Sequence, residues 1–205
     1  MHSQLAETLN KAVPGCNAKV NEAAVGDKSI TIEATHILDV CRTMKNCSNH
    51  QFNVLQVITG TDYPDRIELS YILASFTKNL EMILKVNLPR GDKFNLPKIN
   101  SVTSIWRAAD FQERETFDML GVEFVGHPDP RRILCPYDWD GHPLRKDYVV
   151  QEKYLDMVVN PPGKINTDDH MFGKRLKEEL GDPKRVSASW KDKSEDAETE
   201  AKDGE

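Results

Sequence analysis

Apolar side chains recur at helical spacing in two stretches of the N-terminal half, and at alternate positions in the stretches that follow. Leu5, Leu9 and Val13 precede Pro14-Gly15, which predicts a helix over residues 3–13. Residues 18–23 and 28–32, parted by Gly26-Asp27, predict a small hairpin. Ile37, Leu38, Val40, Cys41 and Met44 then give one apolar face to a second helix, over residues 35–45. Three strands follow. Residues 53–59 are apolar and β-branched, residues 66–74 alternate through Ile67, Leu69, Tyr71 and Leu73, and residues 80–88 alternate through Leu80, Met82, Leu84, Val86 and Leu88. Turn chemistry at residues 60–64 and at Thr77-Lys78-Asn79 separates them.

Residues 101–148 break this rhythm. Ser101 is placed to cap a short helix carrying Val102, Ile105 and Trp106, and Asp110 with Glu113 three residues on has the form of a capping box. Gly121 stands where a left-handed residue ends a helix, so a helix is predicted over residues 111–120. Beyond it, Pro128, Pro130, Pro136 and Pro143 each remove a backbone donor and push the preceding residue toward extended geometry. A continuous helix is excluded and a central strand disfavoured. What remains is a ribbon with a near-repeat: Gly126-His127-Pro128 before Arg131-Arg132, then Gly141-His142-Pro143 before Arg145-Lys146. A segment this long without regular structure is functional or bound to a partner. A weak helix is expected over residues 172–180, closed by Gly181-Asp182-Pro183, and disorder from Val186 onward.

These elements predict an α/β layer (α+β): one mixed, largely antiparallel sheet with helices on one face, continued by a long extended C-terminal arm. At 205 residues and 39% hydrophobic, the chain suffices for one core. Its net charge of −6 is uneven, because residues 191–205 hold seven acids and three lysines and so carry −4. A body nearly neutral over residues 1–190 argues against nucleic acid or anionic lipid as principal partner. Within the ribbon, Arg131, Arg132, Arg145 and Lys146 are balanced by Asp129, Asp138, Asp140 and Asp147. That balance suits hydrogen-bonded pairing with another protein better than a phosphate backbone. No apolar run is long enough to span a bilayer, and the N-terminus, without arginine before Arg42, predicts neither secretion nor import. Cys16, Cys41, Cys47 and Cys135 lack C-x-x-C spacing, which predicts reduced, buried thiols and no iron–sulfur cluster.

Glu115 and Asp118, three apart, have the spacing of acid/base or metal-ligand pairs. The simpler reading of Glu113, Arg114, Glu115 and Asp118 is helix electrostatics, with an Asp110–Arg114–Asp118 ladder at four-residue spacing. Glu113 shares a stripe with Phe117 and Leu120, so it points inward and needs a partner, Arg131 or Arg132. His127 and His142 lack zinc-site spacing and are read as fixing turns through backbone or carboxylate bonds. Trp106, Trp139 and Tyr137 are read as interface or core anchors.

The run ERETFDMLGVEFVGHPDPRRIL resembles the signature of the 30-kDa subunit of respiratory complex I, the proton-pumping NADH–quinone oxidoreductase. Glu113, Arg114, Glu115, Asp118, Gly121, Gly126, His127, Pro128, Asp129, Arg131 and Arg132 carry that likeness, and DWDGHPLRKDY, with Trp139, Gly141, His142, Pro143, Arg145, Lys146 and Asp147, is similar to the family's second signature. Pro130 replaces the usual Leu and Arg107 a frequent Pro. The resemblance implies a subunit in the peripheral arm of the complex, with no catalytic residue, cofactor or metal of its own. Its partners would be the 49-kDa quinone-site subunit and the neighbouring cluster-bearing subunits. The complex as a whole carries FMN, iron–sulfur clusters and quinone. The implied location is the cytoplasmic side of the bacterial inner membrane, with membrane contact only through the complex. On this reading residues 1–121 are the core domain, 122–184 a partner-binding arm and 185–205 an acidic tail. Residues 125–155 should then be protease-sensitive in the lone chain. Two alternatives stand beside it: the equivalent subunit of a related membrane-bound hydrogenase or dehydrogenase, and a free-standing hydrolase using Glu115, Asp118 and His127.

Overall fold

The first helical period becomes α1 (His2–Ala12), with Leu5, Ala6 and Leu9 buried, and the second becomes α2 (Ile37–Asn46), with Ile37, Val40, Cys41 and Met44 buried. The computed structural model describes residues 2–22, 27–91, 95–151 and 153–159. They fall into a first unit of residues 1–149 and a second of residues 150–205.

In the first unit, β1 (Lys19–Asn21) and β2 (Ser29–Ile32) form the expected hairpin, and β3 (Val54–Asp62), β4 (Arg66–Ser75) and β5 (Leu80–Pro89) form an antiparallel meander. The sheet order is β1-β2-β5-β4-β3, with β2 parallel to β5 and every other pair antiparallel. The two apolar rows foreseen on β4 and β5 lie on one face: Ile67, Leu69, Tyr71 and Leu73 beside Met82, Leu84, Val86 and Leu88, all buried. They share one core with the buried residues of α1 and α2. The opposite face is mixed, with Ile72 paired to Ile83 among polar side chains, and carries the Lys85–Glu68 ion pair at 2.7 Å.

Residues 60–64 are not all turn. β3 continues through Gly60 to Asp62, and the reversal is confined to residues 63–65. Gly60 makes room for a neighbouring helix, because a Cβ there would force Leu120 Cδ1 to shift. That methyl belongs to α3 (Ala109–Leu120), which runs beside β3. β3 is the sheet's edge and carries a bulge between Leu55 and Val57. Gln112 covers the irregularity, accepting from Ile58 N–H at 2.6 Å and donating to the Gln56 carbonyl at 3.1 Å. A side-chain amide thus replaces a neighbouring strand at an exposed edge.

The helix opens two residues before the expected position. Its N-cap is Ala108 without a side-chain cap, so Asp110 and Glu113 form no capping box. Ser101 does receive the Thr103 N–H, at 3.2 Å, but the element after it is a single turn closed by Trp106 N–H to the Val102 carbonyl at 3.0 Å. A strand pair absent from the sequence reading brackets α3: β6 (Lys98–Asn100) lies parallel to β7 (Glu123–Val125). In the second unit, β8 (Lys153–Tyr154) and β9 (Met157–Val158) form a hairpin whose turn residues Leu155 and Asp156 have φ of +43° and +62°. The helix expected over residues 172–180 and the acidic tail lie outside the described residues.

Candidate functional site

The site is built on the two ends of α3. A helix leaves its last carbonyls without intrahelical donors. Here the ribbon supplies them. Gly121, left-handed at φ +69° as expected, returns its N–H to Phe117. His142 Nδ1–H donates to the Asp118 carbonyl at 2.9 Å, Leu144 N–H to Met119 at 3.0 Å, and Arg145 Nε to Leu120 at 2.7 Å. The second Gly-His-Pro turn is therefore a C-capping device, and the Arg145 guanidinium sits where the helix dipole favours a cation. A Cβ on Gly121 would lie 2.4 Å from the His142 ring, so the imidazole occupies the space the glycine leaves. Burial first, then the nearby Arg132 and Arg145, hold His142 below its ordinary pKa against the opposing pull of the Asp118 carbonyl bond and carboxylate.

Two buried carboxylates fasten the rest. Asp118 Oδ2 accepts three consecutive backbone donors, Ile133, Leu134 and Cys135, at 3.1, 2.7 and 2.9 Å. Its Oδ1 lies 3.1 Å from Arg132 Nε, an off-line ion contact rather than a hydrogen bond. Arg132 also donates to the Trp139 and Gly141 carbonyls, cross-bracing the ribbon. Asp62, at the end of β3, accepts a two-pronged pair from Arg90 and the Lys146 N–H at 2.8 Å. Burial pushes the Asp62 carboxyl up, but Arg90, the Lys146 N–H and Arg145 outweigh it and leave its pKa below the ordinary value. Asp147 joins Arg90 at 3.1 Å, and Trp139 Nε1 donates to Tyr148 Oη at 3.1 Å.

The first Gly-His-Pro turn binds the other end of the helix. His127 Nε2–H donates to the Asp110 carbonyl at 3.1 Å while Nδ1 accepts the Asp129 N–H at 3.0 Å, which selects the neutral Nε2–H tautomer. Pro128 and Pro143 follow the two histidines, where fixed φ stiffens each turn. The Arg131 fork holds Asp129 at a pKa of about 2, with Arg114 adding to the effect. Arg114 turns to Asp129 at 3.5 Å and to the Arg131 carbonyl, so the Asp110–Arg114–Asp118 ladder does not form. Glu113 pairs with neither Arg131 nor Arg132. Ser101 Oγ–H and Val102 N–H donate to it at 2.6 and 2.7 Å.

Glu115 is exposed while Asp118 is buried, and His127 lies at the opposite end of the helix from the Asp118 nest, so the three hydrolase candidates do not converge. Among the described residues no group of three His, Cys, Asp or Glu is placed to hold a metal. Cys16 and Cys41 are buried; Cys47 and Cys135 are half-buried, and all four are free thiols. Trp106 is a core anchor, 4% exposed. Arg132, His142 and Arg145 of the ribbon face inward, Arg131, Asp138, Asp140, Lys146 and Asp147 are exposed, and so are several apolar side chains: Leu134 is 59% exposed, Tyr137 91%, Leu144 59% and Val149 84%. Asp62, Arg90 and Gln112 were not singled out from the sequence, and Ser101 was read only as a helix cap, not as the partner of Glu113. Each acts through backbone groups or at long sequence separation, and no local spacing marks it.

The family described as respiratory-chain NADH dehydrogenase, 30 Kd subunit, matches residues 30–154. The NADH-quinone oxidoreductase subunit lettered C from Roseiflexus sp. (strain RS-1) is 44% identical over 138 residues, 66% of this chain and 77% of that relative. Its counterpart from Ralstonia pickettii (strain 12J) is 37% identical over 166 residues, 77% of this chain and 80% of that relative. Among solved structures, a chain of the membrane-bound sulfane sulfur reductase, an archaeal respiratory membrane complex, superposes with a TM-score of 0.50 at 25% identity, over 61% of this chain and 71% of that one. No helix among the described residues is long and apolar enough to cross a membrane. With both signatures inside the matched region, the chain belongs to the 30-kDa subunit family of the respiratory-chain NADH dehydrogenase, the NADH-quinone oxidoreductase of its bacterial relatives.

Proposed function

We propose that this chain is a cofactor-free subunit of the peripheral arm of NADH:quinone oxidoreductase, on the cytoplasmic side of the bacterial inner membrane. It supports electron transfer from NADH to quinone, coupled to proton translocation, by docking to the 49-kDa quinone-site subunit and to neighbouring cluster-bearing subunits. One observation carries the reading. The ribbon turns the backbone donors at 133–135, His142 and Arg145 onto α3 and presents Leu134, Tyr137, Leu144 and Val149 to the outside. Apolar side chains held outward on a braced backbone are what a protein interface uses, because little ordering entropy remains to be lost on docking. The role requires no chemistry here: the chain fixes distances between redox centres held by others. Arg131, with 79% of its side chain exposed, and the exposed Lys146 are signature bases within reach of a partner. The equivalent subunit of a related respiratory membrane complex is the second reading, favoured by the likeness to the sulfane sulfur reductase chain. Affinity isolation of the full-length chain from its own cells tests both. Recovery with an NADH-oxidising, flavin- and cluster-containing assembly is expected; recovery with a hydrogenase-type or sulfur-reducing assembly selects the second reading, and recovery alone contradicts both.

A further inference from the structure

Glu113 is fully buried, yet among the described residues no lysine or arginine pairs with it. Neutral donors serve it: Ser101 Oγ–H bonds Oε2 at 2.6 Å and Val102 N–H bonds Oε1 at 2.7 Å. Ser101 Oγ in turn lies 2.7 Å from Thr103 Oγ1, and either hydroxyl is placed to donate. Ser101 is buried and Thr103 half-buried, so the three groups run from the interior toward solvent. The titratable and charged groups around Glu113 are already engaged or cannot neutralise it. From α3, Asp110 has a buried Oδ1 without a hydrogen-bond partner, and Arg114 is committed to Asp129 and the Arg131 carbonyl. His127, after β7, holds Nε2 3.9 Å away with both nitrogens occupied. Tyr71 on β4 and Cys41 on α2 bring a buried hydroxyl and a buried thiol. Glu113 also lines a cavity of about 250 Å³ whose walls include Phe117, Phe124, Val125 and Pro130.

We propose that Glu113, Ser101 and Thr103 form a proton-binding site, in which the carboxyl group holds the proton and the two hydroxyls pass it to and from the surface. The transfer balances. A hydronium ion gives its proton to Thr103 Oγ1, the hydrogen on Thr103 moves to Ser101 Oγ, and the hydrogen on Ser101 moves to Glu113 Oε2. One O–H bond forms and one breaks at each hydroxyl, water is released, and the carboxylate charge is neutralised. When Glu113 is ionised, Thr103 donates to Ser101 and Ser101 to the carboxylate; when it is protonated, both hydrogen bonds reverse without any heavy atom moving. Burial, with Asp110 adding to the rise, outweighs the opposing Ser101 hydroxyl and Val102 N–H and brings the Glu113 carboxyl to about 7. Occupancy therefore changes near neutrality. The site does not depend on what docks against the ribbon.

Carbon-13 NMR of the side-chain carboxyls tests it on the full-length chain, titrated from about pH 5 to about pH 9. One glutamate resonance is expected to titrate near 7 and to be missing from Glu113→Gln. Ser101→Ala removes a donor that favours the ionised form and moves that midpoint upward, which identifies the resonance even if Glu113→Gln does not fold. Thr103→Val leaves the midpoint in place and slows proton exchange, read from the broadening of the same resonance at its midpoint. Glutamates that all titrate in the ordinary carboxylate range, or a Ser101→Ala midpoint that does not move, would overturn the binding site. Unchanged exchange in Thr103→Val would overturn the relay.

Discussion

Asp118 holds three backbone N–H groups on one oxygen and a guanidinium beside the other, in a nest largely shielded from water. Asp118→Ala leaves those donors and the Arg132 charge uncompensated, so a loss of about 3–5 kcal/mol is expected from urea unfolding. A loss under about 1 kcal/mol would mean that the nest does not hold the ribbon. Glu113 gives the residue scale its pH signature. Its folded pKa, about 7, lies above the ordinary 4.5, so between those values the folded chain binds more protons than the unfolded one. The protonated carboxyl is at home in the fold, and stability from this group falls as pH rises through that window, by roughly 3 kcal/mol at most. Glu113→Gln mimics the protonated form and should match the wild type at pH 5 but exceed it at about pH 8, by thermal melting. Equal melting at both pH values would contradict the raised pKa. The inward turn of Glu113 was legible from its stripe with Phe117 and Leu120. Its partners were not, because a search for opposite charge overlooks a hydroxyl and a backbone N–H about ten residues upstream.

At the scale of elements, periodicity located both N-terminal helices and all three long strands to within a few residues, and the Gly121 stop signal located the end of α3. It missed β6 and β7, because three-residue strands are too short to show alternation. It also read Gly60 as turn, when the glycine serves the approach of Leu120 to β3. Gly60→Ala forces that contact apart and should cost about 1–3 kcal/mol in chemical unfolding, whereas a neutral effect would place α3 farther from the sheet. Gln112→Ala removes the amide that covers the bulged edge of β3. A loss of about 1–2 kcal/mol is expected, together with faster aggregation on mild heating, measured by light scattering. Unchanged aggregation would show that the edge is protected by other means.

For the whole molecule, the sequence made it plain that the ribbon is not a helix and that it carries a family signature. Its fastening was hidden, since Asp62 meets Lys146 across 84 residues and Arg145 meets Leu120 across 25. A loop tied at that many points should resist limited proteolysis over residues 125–149 in the isolated chain, contrary to the expectation of a sensitive arm. Arg145→Ala should restore cleavage there and cost about 2 kcal/mol or more, because three carbonyls lose their donor. Arg131→Ala, at an exposed pair, should change stability by no more than about 0.5 kcal/mol. On the proposed function, the inward face of the ribbon serves the fold and its outward face serves a partner. The most direct test of that division is incorporation of a Tyr137→Ala, Leu144→Ser double variant into the membrane-associated complex, measured beside the melting temperature of the purified chain. An unchanged melting temperature with assembly lost or strongly reduced is expected. Full incorporation, or a fall in assembly that merely follows a fall in stability, would contradict it.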